Sequence, residues 1–242
     1  MRILIVRHAD PDYEKDSLTE VGWKEAELLA KRLSRLDVKN FYVSPLGRAK
    51  DTASLTLSQM NREAEMLPWL QEFCQANIRR PDVKGRTILW DWLPQDWTAE
   101  KKYYDRAKWT ETEIMRDSTV KQEHWWVCKG FDDILKKHGY VREGGYYRVE
   151  KANTDTIVFF CHFGVECVML GHLLGISPMI LWHGMCAAPS SVTTIHTEER
   201  REGIASMRIS AFGDVSHLYA AEREPSFAAR FCETYDSPQR HD

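Results

Sequence analysis

The chain has 242 residues, of which 43% are hydrophobic and 29% are charged, and its formal net charge is −3. That length and composition allow one large domain or two small ones around a substantial core. A near-neutral charge excludes a global attraction to nucleic acid or to an anionic membrane, so any anion-binding site must be local. The longest apolar runs fall far short of a membrane span and no secretory leader pattern opens the chain, so we expect a cytoplasmic protein.

The N-terminal part of the chain predicts a strand, a helix, a second strand and a second helix, in that order. Residues 2–6 form a short β-branched apolar run, which is typical of a strand buried on both faces. A polar loop over 9–18 separates this strand from the first helix. The second strand is predicted at 41–43, and after a Ser-Pro turn the second helix is predicted from about 48 to 60. The first helix is predicted from apolar residues at helical spacing, which are Ala26, Leu29, Ala30, Leu33 and Leu36.

The middle of the chain, from about 73 to 125, differs in composition from its surroundings. It is rich in tryptophan and in charged residues, and it shows no clear strand pattern. We interpret it as a mostly helical, cap-like insertion in a single domain that spans 1–242. A helix over 126–138 is predicted to follow it and to end at Gly139, because glycine is favoured where a helix stops. The tryptophans of the insertion are Trp90, Trp92, Trp97, Trp109 and Trp125.

The remainder of the chain returns to the alternation of strands and helices. A third buried strand is predicted at 156–160, and a helix over 164–174 follows it. Two late strands are predicted at 191–196 and 205–212. Strands that alternate with helices indicate a three-layer α/β/α fold with a mostly parallel central sheet.

Basic side chains stand at equivalent places after the three predicted inner strands. Arg7 and His8 directly follow the first strand, and His162 follows the third. Arg48 comes just after the second strand, at the start of a helix whose free N–H groups and dipole favour an anion. Because ligands of open α/β sheets bind at the carboxyl ends of the strands, we expect these four side chains to meet in a pocket for a dianion. Arginine suits phosphate, since its planar fork holds two oxygens at once.

The six cysteines form no C-x-x-C pair, and no run of His and Cys has the spacing of a zinc site. We therefore expect reduced, mostly buried thiols, and we predict neither a metal ion nor a cofactor. The cysteines are at positions 74, 128, 161, 167, 186 and 232.

The basic residues belong to longer motifs that resemble a known family. Arg7-His8, Ser44-Pro45-Leu46-Gly47-Arg48-Ala49 and Cys161-His162-Phe163-Gly164 are similar to the signature of the histidine phosphatase superfamily, also called the phosphoglycerate mutase-like family. The resemblance covers about 1–72 and 155–218 and keeps the order of the family's motifs. It implies a metal-independent phosphomonoesterase that hydrolyses a small phosphorylated metabolite, with no nucleic-acid or membrane partner.

The resemblance also assigns a role to each residue of the pocket. His8 takes the place of the family's nucleophile, whose neutral imidazole attacks phosphorus and becomes phosphohistidine. Arg7, Arg48 and His162 take the places of the residues that hold the phosphoryl oxygens, and the backbone N–H of Phe163 is expected to help.

A general acid must protonate the leaving alkoxide. The family takes this proton from a glutamate in a Leu-x-Glu context, and Leu70-Gln71-Glu72 fits that context. Glu72 is then expected to activate the water that breaks the phosphohistidine. Asp10, two residues after the nucleophile, and Glu166, one helical turn beyond His162, are the alternative acids.

The chain departs from the family pattern beside the nucleophile. Ala9 replaces the usual glycine, and Phe163 replaces another glycine after the second histidine. The loop over 11–17 is short and acidic, where the family carries further phosphate contacts. The small number of basic residues in this loop argues against a phosphoglycerate mutase-like phosphomutase, which needs a basic site for two phosphates. That activity and a non-catalytic phosphate-binding protein on the same fold are the alternative functions.

Overall fold

The computed structural model describes residues 1–73, 78, 80, 88–90, 92–226 and 234–236. Its strands in chain order are β1 (Arg2–Arg7), β2 (Pro11–Asp12), β3 (Ser17–Leu18), β4 (Asn40–Val43), β5 (Ala64–Met66), β6 (Tyr140–Glu143), β7 (Tyr146–Val149), β8 (Thr156–Cys161), β9 (Val192–Arg201) and β10 (Ile204–Asp214). Its α-helices are α1 (Glu20–Leu33), α2 (Gly47–Met60), α3 (Pro94–Thr98), α4 (Glu113–Arg116), α5 (Val120–Lys137), α6 (Phe163–Leu174), α7 (Pro178–Gly184) and α8 (Ser216–Tyr219). Single 3-10 turns lie at Pro68–Leu70, Lys101–Tyr104 and Trp109–Glu111.

Eight of the strands form one mixed sheet in the order β5-β4-β8-β1-β9-β10-β7-β6. The first four strands of this order run parallel to one another. The other four add to the sheet through antiparallel pairings. The strand β8 therefore lies between β4 and β1, and the carboxyl ends of these three parallel strands are neighbours.

Helices cover both faces of the sheet, as the alternating side chains of β1 demonstrate. Leu4 and Val6 pack in one cluster with apolar residues of α1 and α2. Ile3 and Ile5 pack on the opposite face, in the larger cluster that includes residues of α5 and α6. Successive side chains of a strand point to opposite faces, so a strand buried on both faces is apolar throughout. The prediction of a three-layer α/β/α fold with a parallel core is confirmed.

The inner strands and the helices beside them lie close to their predicted positions, whereas the periphery differs. The hairpin of β6 and β7, the short strands β2, β3 and β5, and the helix α7 were not predicted. The helix α5 begins at Val120 rather than at 126, inside the range assigned to the insertion. The late strands β9 and β10 are longer than predicted and pair in a long antiparallel ladder.

The Trp-rich region contains short helices in its described part. These are α3, α4, two 3-10 turns and the first residues of α5, so its regular structure is mainly helical. Its residues 74–77, 79, 81–87 and 91, and with them Cys74, lie outside the described residues. Among the helices of the described residues, none combines the length and the apolar character required to cross a membrane.

Candidate active site

The three inner strands bring the predicted pocket residues to one edge of the sheet. Arg7 is the last residue of β1, and His8 follows it. Arg48 is the second residue of α2, just after β4. His162 follows β8 directly and is the N-cap residue of α6. The imidazole rings of His8 and His162 lie 5.2 Å apart between centroids and are inclined by 56°.

The imidazole of His8 is buried and held in one tautomer. Its Nδ1 lies 2.8 Å from the carbonyl oxygen of Ala9, which can only accept a hydrogen bond. Nδ1 therefore carries the proton, and Nε2 keeps its lone pair. Burial, followed by the charge of Arg7, lowers the pKa of His8 well below its usual value of 6.5. A neutral imidazole with a bare Nε2 is the form that acts as a nucleophile.

Each arginine of the pocket is anchored at one nitrogen and keeps another without a partner. Nη1 of Arg7 donates to the carbonyl oxygen of Ala187, and the Arg7 guanidinium lies 5.9 Å from the ring centre of Phe163. Nη1 of Arg48 donates to Oδ1 of Asp16 over 2.6 Å. The Nε atoms of both arginines are buried and make no hydrogen bond within the described residues.

Asp16 fastens the loop after His8 to the start of α2. Its second carboxylate oxygen accepts a hydrogen bond from the backbone N–H of Gly47 over 2.6 Å. Burial alone would raise the pKa of Asp16, but the bonds from Gly47 and Arg48 outweigh it, and the pKa is lowered. A side chain at Gly47 would come within 2.0 Å of the Asp16 carbonyl oxygen, so only glycine permits this approach. The acidic loop therefore orients Arg48.

One ring nitrogen of His162 has a hydrogen-bond partner among the described residues, and the other has none. Its Nε2 lies 2.7 Å from the hydroxyl oxygen of Ser44. Its Nδ1 is buried and makes no hydrogen bond to any described residue. Burial, and then the charges of His8, Arg48 and Arg7, lower the pKa of His162 well below 6.5. His162 is therefore neutral near physiological pH, with Nδ1 left for a ligand.

Glu72 reaches the same edge from the turn that follows β5. Its carboxylate accepts hydrogen bonds from the backbone N–H groups of Phe73 (2.8 Å), Val165 (3.1 Å) and Gly164 (3.3 Å). The last two belong to the first turn of α6, whose N–H groups lack helical partners. Burial is the largest influence and raises the pKa of Glu72, while these N–H groups and the charges of both pocket arginines oppose the rise. Glu72 thus keeps a proton to a higher pH than an exposed glutamate.

The two alternative acids are held in other surroundings. Oδ2 of Asp10 accepts a hydrogen bond from the hydroxyl of Thr19, the N-cap residue of α1, over 2.6 Å. Glu166 is buried, accepts a hydrogen bond from Thr193, and has its Oε1 without a partner among the described residues. Burial raises the pKa of Glu166 to about 7.

One tryptophan of the insertion lies directly on the pocket. The ring of Trp90 meets that of Phe163 edge-on, with 6.4 Å between centroids. A Cβ at Gly164 would come within 2.5 Å of the Trp90 ring and 2.6 Å of the nearer Glu72 oxygen. Trp90 and Glu72 therefore pack together on the start of α6.

The other tryptophans divide into packed and exposed ones. Trp92 and Trp109 are buried in the main core cluster, and Trp97 stacks on His183 with 4.8 Å between centroids. Trp125, by contrast, is 63% exposed on α5. The first three rings therefore pack against other parts of the protein.

Sequence reasoning missed several residues that support the pocket. Ser44 was read only as part of a motif and Thr52 was given no role, yet the Ser44 hydroxyl contacts His162 and the Thr52 hydroxyl contacts the backbone beside His8. The Thr52 hydroxyl accepts from the N–H of Ala9 over 2.9 Å and donates to the carbonyl oxygen of Arg48 over 2.7 Å. The N–H of Ser190 donates to the carbonyl oxygen of His8 over 3.0 Å. Only the long-range pairing reveals these contacts, since the partners are far apart in the chain.

The arrangement is suited to binding a tetrahedral dianion beside a nucleophile. Next to His8, Arg7, Arg48 and His162 each have a buried nitrogen that makes no hydrogen bond to a described residue. Buried polar groups without partners are unfavourable and rare, so a ligand with several acceptor oxygens is expected to satisfy them. Within the part of the chain that the structure describes, no three His, Cys, Asp or Glu side chains are grouped as metal ligands would be.

Comparison with known proteins gives a consistent family. A model of the histidine phosphatase superfamily (branch 1) matches residues 3–130, more than half of the chain. Phosphoserine phosphatase 1 of Hydrogenobacter thermophilus is 26% identical over 220 residues, which are 87% of this chain and 93% of that protein. A 2,3-bisphosphoglycerate-dependent phosphoglycerate mutase of Thermoplasma acidophilum is 34% identical over 70 residues, but these are 25% of this chain and only 35% of the mutase.

A solved structure has the same fold over nearly the whole chain. A phosphoserine phosphatase variant from Entamoeba histolytica, in complex with phosphoserine, superposes with a TM-score of 0.59. The sequence identity is 18%, and the superposition covers 90% of this chain and 98% of that one. At this identity the likeness establishes a common fold.

Proposed function

The chain belongs to the histidine phosphatase superfamily, and from this premise we propose that it hydrolyses a small phosphorylated metabolite through a phosphohistidine on His8. The observation that carries the proposal is a set of buried nitrogens that have no partner in the described part of the chain. Arg7 Nε, Arg48 Nε and His162 Nδ1 stand around a neutral His8. Phosphoryl oxygens would satisfy all three nitrogens at once. The positive charges of the two arginines would offset the charge of the transition state.

The first step transfers the phosphoryl group to the enzyme. Nε2 of His8 forms a bond to phosphorus, and the bond between phosphorus and the leaving oxygen breaks. Glu72 gives its proton to that oxygen, so that the alcohol departs neutral. The raised pKa of Glu72 supports this role, because the carboxyl group keeps its proton to a higher pH than an exposed glutamate does.

The second step returns the enzyme to its starting state. A water molecule attacks phosphorus and gives a proton to the Glu72 carboxylate. The bond between phosphorus and Nε2 breaks, phosphate leaves, and His8 is again neutral. One group thus serves as acid and then as base.

Glu72 is preferred over the alternative acids because of its neighbours. It lies within hydrogen-bond distance of Gly164 and Val165, two and three residues after His162. Asp10 is engaged by Thr19, and the carboxyl group of Glu166 by Thr193. Phe163 is the first residue of α6, so its backbone N–H has no partner within the helix. This N–H is proposed to donate a further hydrogen bond to the phosphoryl group.

The residues 73–125 are proposed to form a cap that covers the pocket and selects the leaving group. The packing of Trp90 on Phe163 and Gly164 supports this role. Phosphatases with related sequences or folds act on phosphoserine, which agrees with a small substrate. A cytoplasmic location is part of the proposal, and the buried thiols of Cys128, Cys161 and Cys167 fit a reducing compartment.

The proposal is tested by turnover of phosphate esters. Purified protein is incubated with an aryl phosphate and with a panel of phosphorylated metabolites, and the released phosphate is measured. Release with at least one metabolite at a higher rate than with the aryl ester supports the proposal. No release from any ester would make the protein a non-catalytic binder. Phosphoryl exchange on a monophosphoglycerate that requires a bisphosphate primer would make it a mutase.

A further inference from the structure

The hydroxyl of Ser44 and the imidazole of His162 form a buried pair at the edge of the sheet. Both side chains are fully buried. The Ser44 oxygen lies 2.7 Å from Nε2 of His162 and accepts a second hydrogen bond, from the N–H of Leu46, over 3.2 Å. The Ser44 backbone N–H donates to the carbonyl oxygen of Phe160 in β8 over 2.9 Å. The hydroxyl is therefore held in place from three sides.

The proton in the bond between Ser44 and His162 can belong to either residue. The two arrangements differ in which hydrogen-bonding groups are left without a partner. If Nε2 of His162 carried the proton, the Ser44 oxygen would accept twice, and its own hydrogen would have no acceptor among the described residues. Nδ1 would then be a bare lone pair, which repels a phosphoryl oxygen. If Ser44 donates to Nε2, its hydrogen is satisfied and Nδ1 carries a proton. One unpaired group then remains, and it is a donor.

We propose that Ser44 is a positioning residue that donates to Nε2 of His162, so that Nδ1–H faces the phosphoryl group as a donor. The inference rests on the proposed function, because only an anionic ligand makes this tautomer useful. A buried, unpaired N–H is unfavourable in the free enzyme and becomes satisfied when the phosphoryl oxygens arrive. The same hydroxyl also accepts from Leu46 at the beginning of α2, the helix that carries Arg48. Ser44 thus orients groups on two sides of the pocket.

The tautomer can be read without turnover by nitrogen NMR of the histidine side chains. Protonated and bare ring nitrogens resonate far apart, and His162→Gln identifies the signals that belong to His162 among the nine histidines. We expect a protonated Nδ1 and a bare Nε2 in the parent protein. A protonated Nε2 with a bare Nδ1, or protons on both nitrogens, would overturn the proposal. This measurement stands even if Ser44 variants do not fold.

Steady-state kinetics can show whether Ser44 affects catalysis through its hydrogen bond to His162 or through its hydrogen bond to Leu46. Ser44→Ala is expected to lower kcat/KM by about tenfold or more, the scale of one buried hydrogen bond. In a His162→Ala background the same change is expected to have little further effect, since its target is gone. An equal loss in both backgrounds would refute the action through His162. The control is Ser54→Ala, which removes a hydroxyl from an exposed position of α2, where it donates to the carbonyl oxygen of Asp51.

The outcomes distinguish this inference from the proposed function. An active phosphatase with the proton on Nε2 refutes the role of Ser44 and leaves the phosphatase proposal intact. A protein that hydrolyses no ester but has the proton on Nδ1 refutes the phosphatase proposal, while the assignment of the Ser44 hydrogen bond is supported.

Discussion

Nδ1 of His8 lies 2.8 Å from the carbonyl oxygen of Ala9, the next residue of the chain. This single contact places the proton of the imidazole on the nitrogen that faces the backbone. The other nitrogen, Nε2, is therefore bare in the resting protein. Burial, followed by the charge of Arg7, lowers the pKa of His8 well below 6.5 and so favours this neutral form.

Phosphorylation is expected at Nε2 of His8 during turnover. Rapid quenching without acid should trap a phosphoryl group that is labile to acid and stable to alkali, and mass spectrometry should locate it on His8. His8→Ala should lower kcat by about 10³-fold or more. A His8→Ala enzyme with near-normal rates would refute the mechanism, as would an activity that EDTA abolishes and a metal restores.

Arg48→Lys should impair the enzyme although the charge is kept. Lysine cannot provide the two-pronged contact to phosphate, and it would lose the geometry of the bond to Asp16. We expect a loss of about 2–3 kcal/mol in transition-state stabilisation, measured as kcat/KM. Arg35→Lys, at an exposed position in another part of the molecule, is the control. An Arg48→Lys enzyme within twofold of the parent would place Arg48 outside the site.

Glu72→Gln should affect substrates according to their leaving group. An alkoxide needs a proton and a nitrophenolate hardly does, so hydrolysis of alkyl phosphates should fall far more than the first step with aryl phosphates. The raised pKa of Glu72 fixes the direction of the pH dependence. The parent enzyme should lose activity on alkyl phosphates as the pH rises and Glu72 deprotonates, and Glu72→Gln should lack this alkaline decline.

Glu63 is exposed, and Glu63→Gln is the matched control for Glu72→Gln. It should leave the rates of hydrolysis of alkyl and aryl phosphates unchanged. Equal losses for alkyl and aryl phosphates in Glu72→Gln would indicate a structural role. Normal rates would transfer the role of acid to Asp10 or Glu166.

Trp90→Leu should change the ranking of substrates and leave small aryl phosphates nearly unaffected. The ring lies on Phe163 at the rim of the pocket, where it can touch the non-reacting part of a metabolite. Trp125→Leu is the control, because that ring is 63% exposed on α5. Relative kcat/KM values over the metabolite panel provide the measurement. An unchanged ranking in a folded Trp90→Leu enzyme would shift specificity to the loop between Asp10 and Ser17.

Glu166 should make the folded state less stable as the pH rises. Its pKa is raised from 4.5 to about 7, so the folded state holds a proton that the unfolded chain releases. Stability from this group is full below about pH 4.5 and declines toward pH 7, by up to about 3 kcal/mol. Urea unfolding at pH 5 and pH 8 should show a smaller difference in Glu166→Gln than in the parent. An identical difference in both proteins would contradict the shifted pKa.

The inner fold was predictable from sequence because its signals are local. The strand β8 is apolar along its length, and α1 shows helical spacing, so neither needed knowledge of a partner. The hairpin of β6 and β7 was missed, because charged and tyrosine side chains mix in it and its ladder with β10 joins distant parts of the chain. The start of α5 was missed because Thr119 makes no side-chain cap hydrogen bond.

The candidate site was predictable only in part, because some of its contacts join residues that are far apart in the chain. His8, Arg48 and His162 could be placed together because each follows an inner strand. Ser44 and His162, by contrast, are separated by 118 positions, and no local pattern couples a serine in a turn to a distant imidazole. The bond between Asp16 and Arg48 likewise spans 32 positions.

The position of β8 between β4 and β1 has a consequence for the order of events during synthesis. Arg7, His8 and Arg48 all lie within the first 50 residues, but β1 and β4, the strands near whose ends they lie, are not neighbours. The strand that fills the gap, Thr156–Cys161, leaves the ribosome more than a hundred residues later. A nascent chain that has three of the four pocket side chains therefore has no pocket. We expect catalytic activity to arise in one late event, when β8 inserts between β4 and β1.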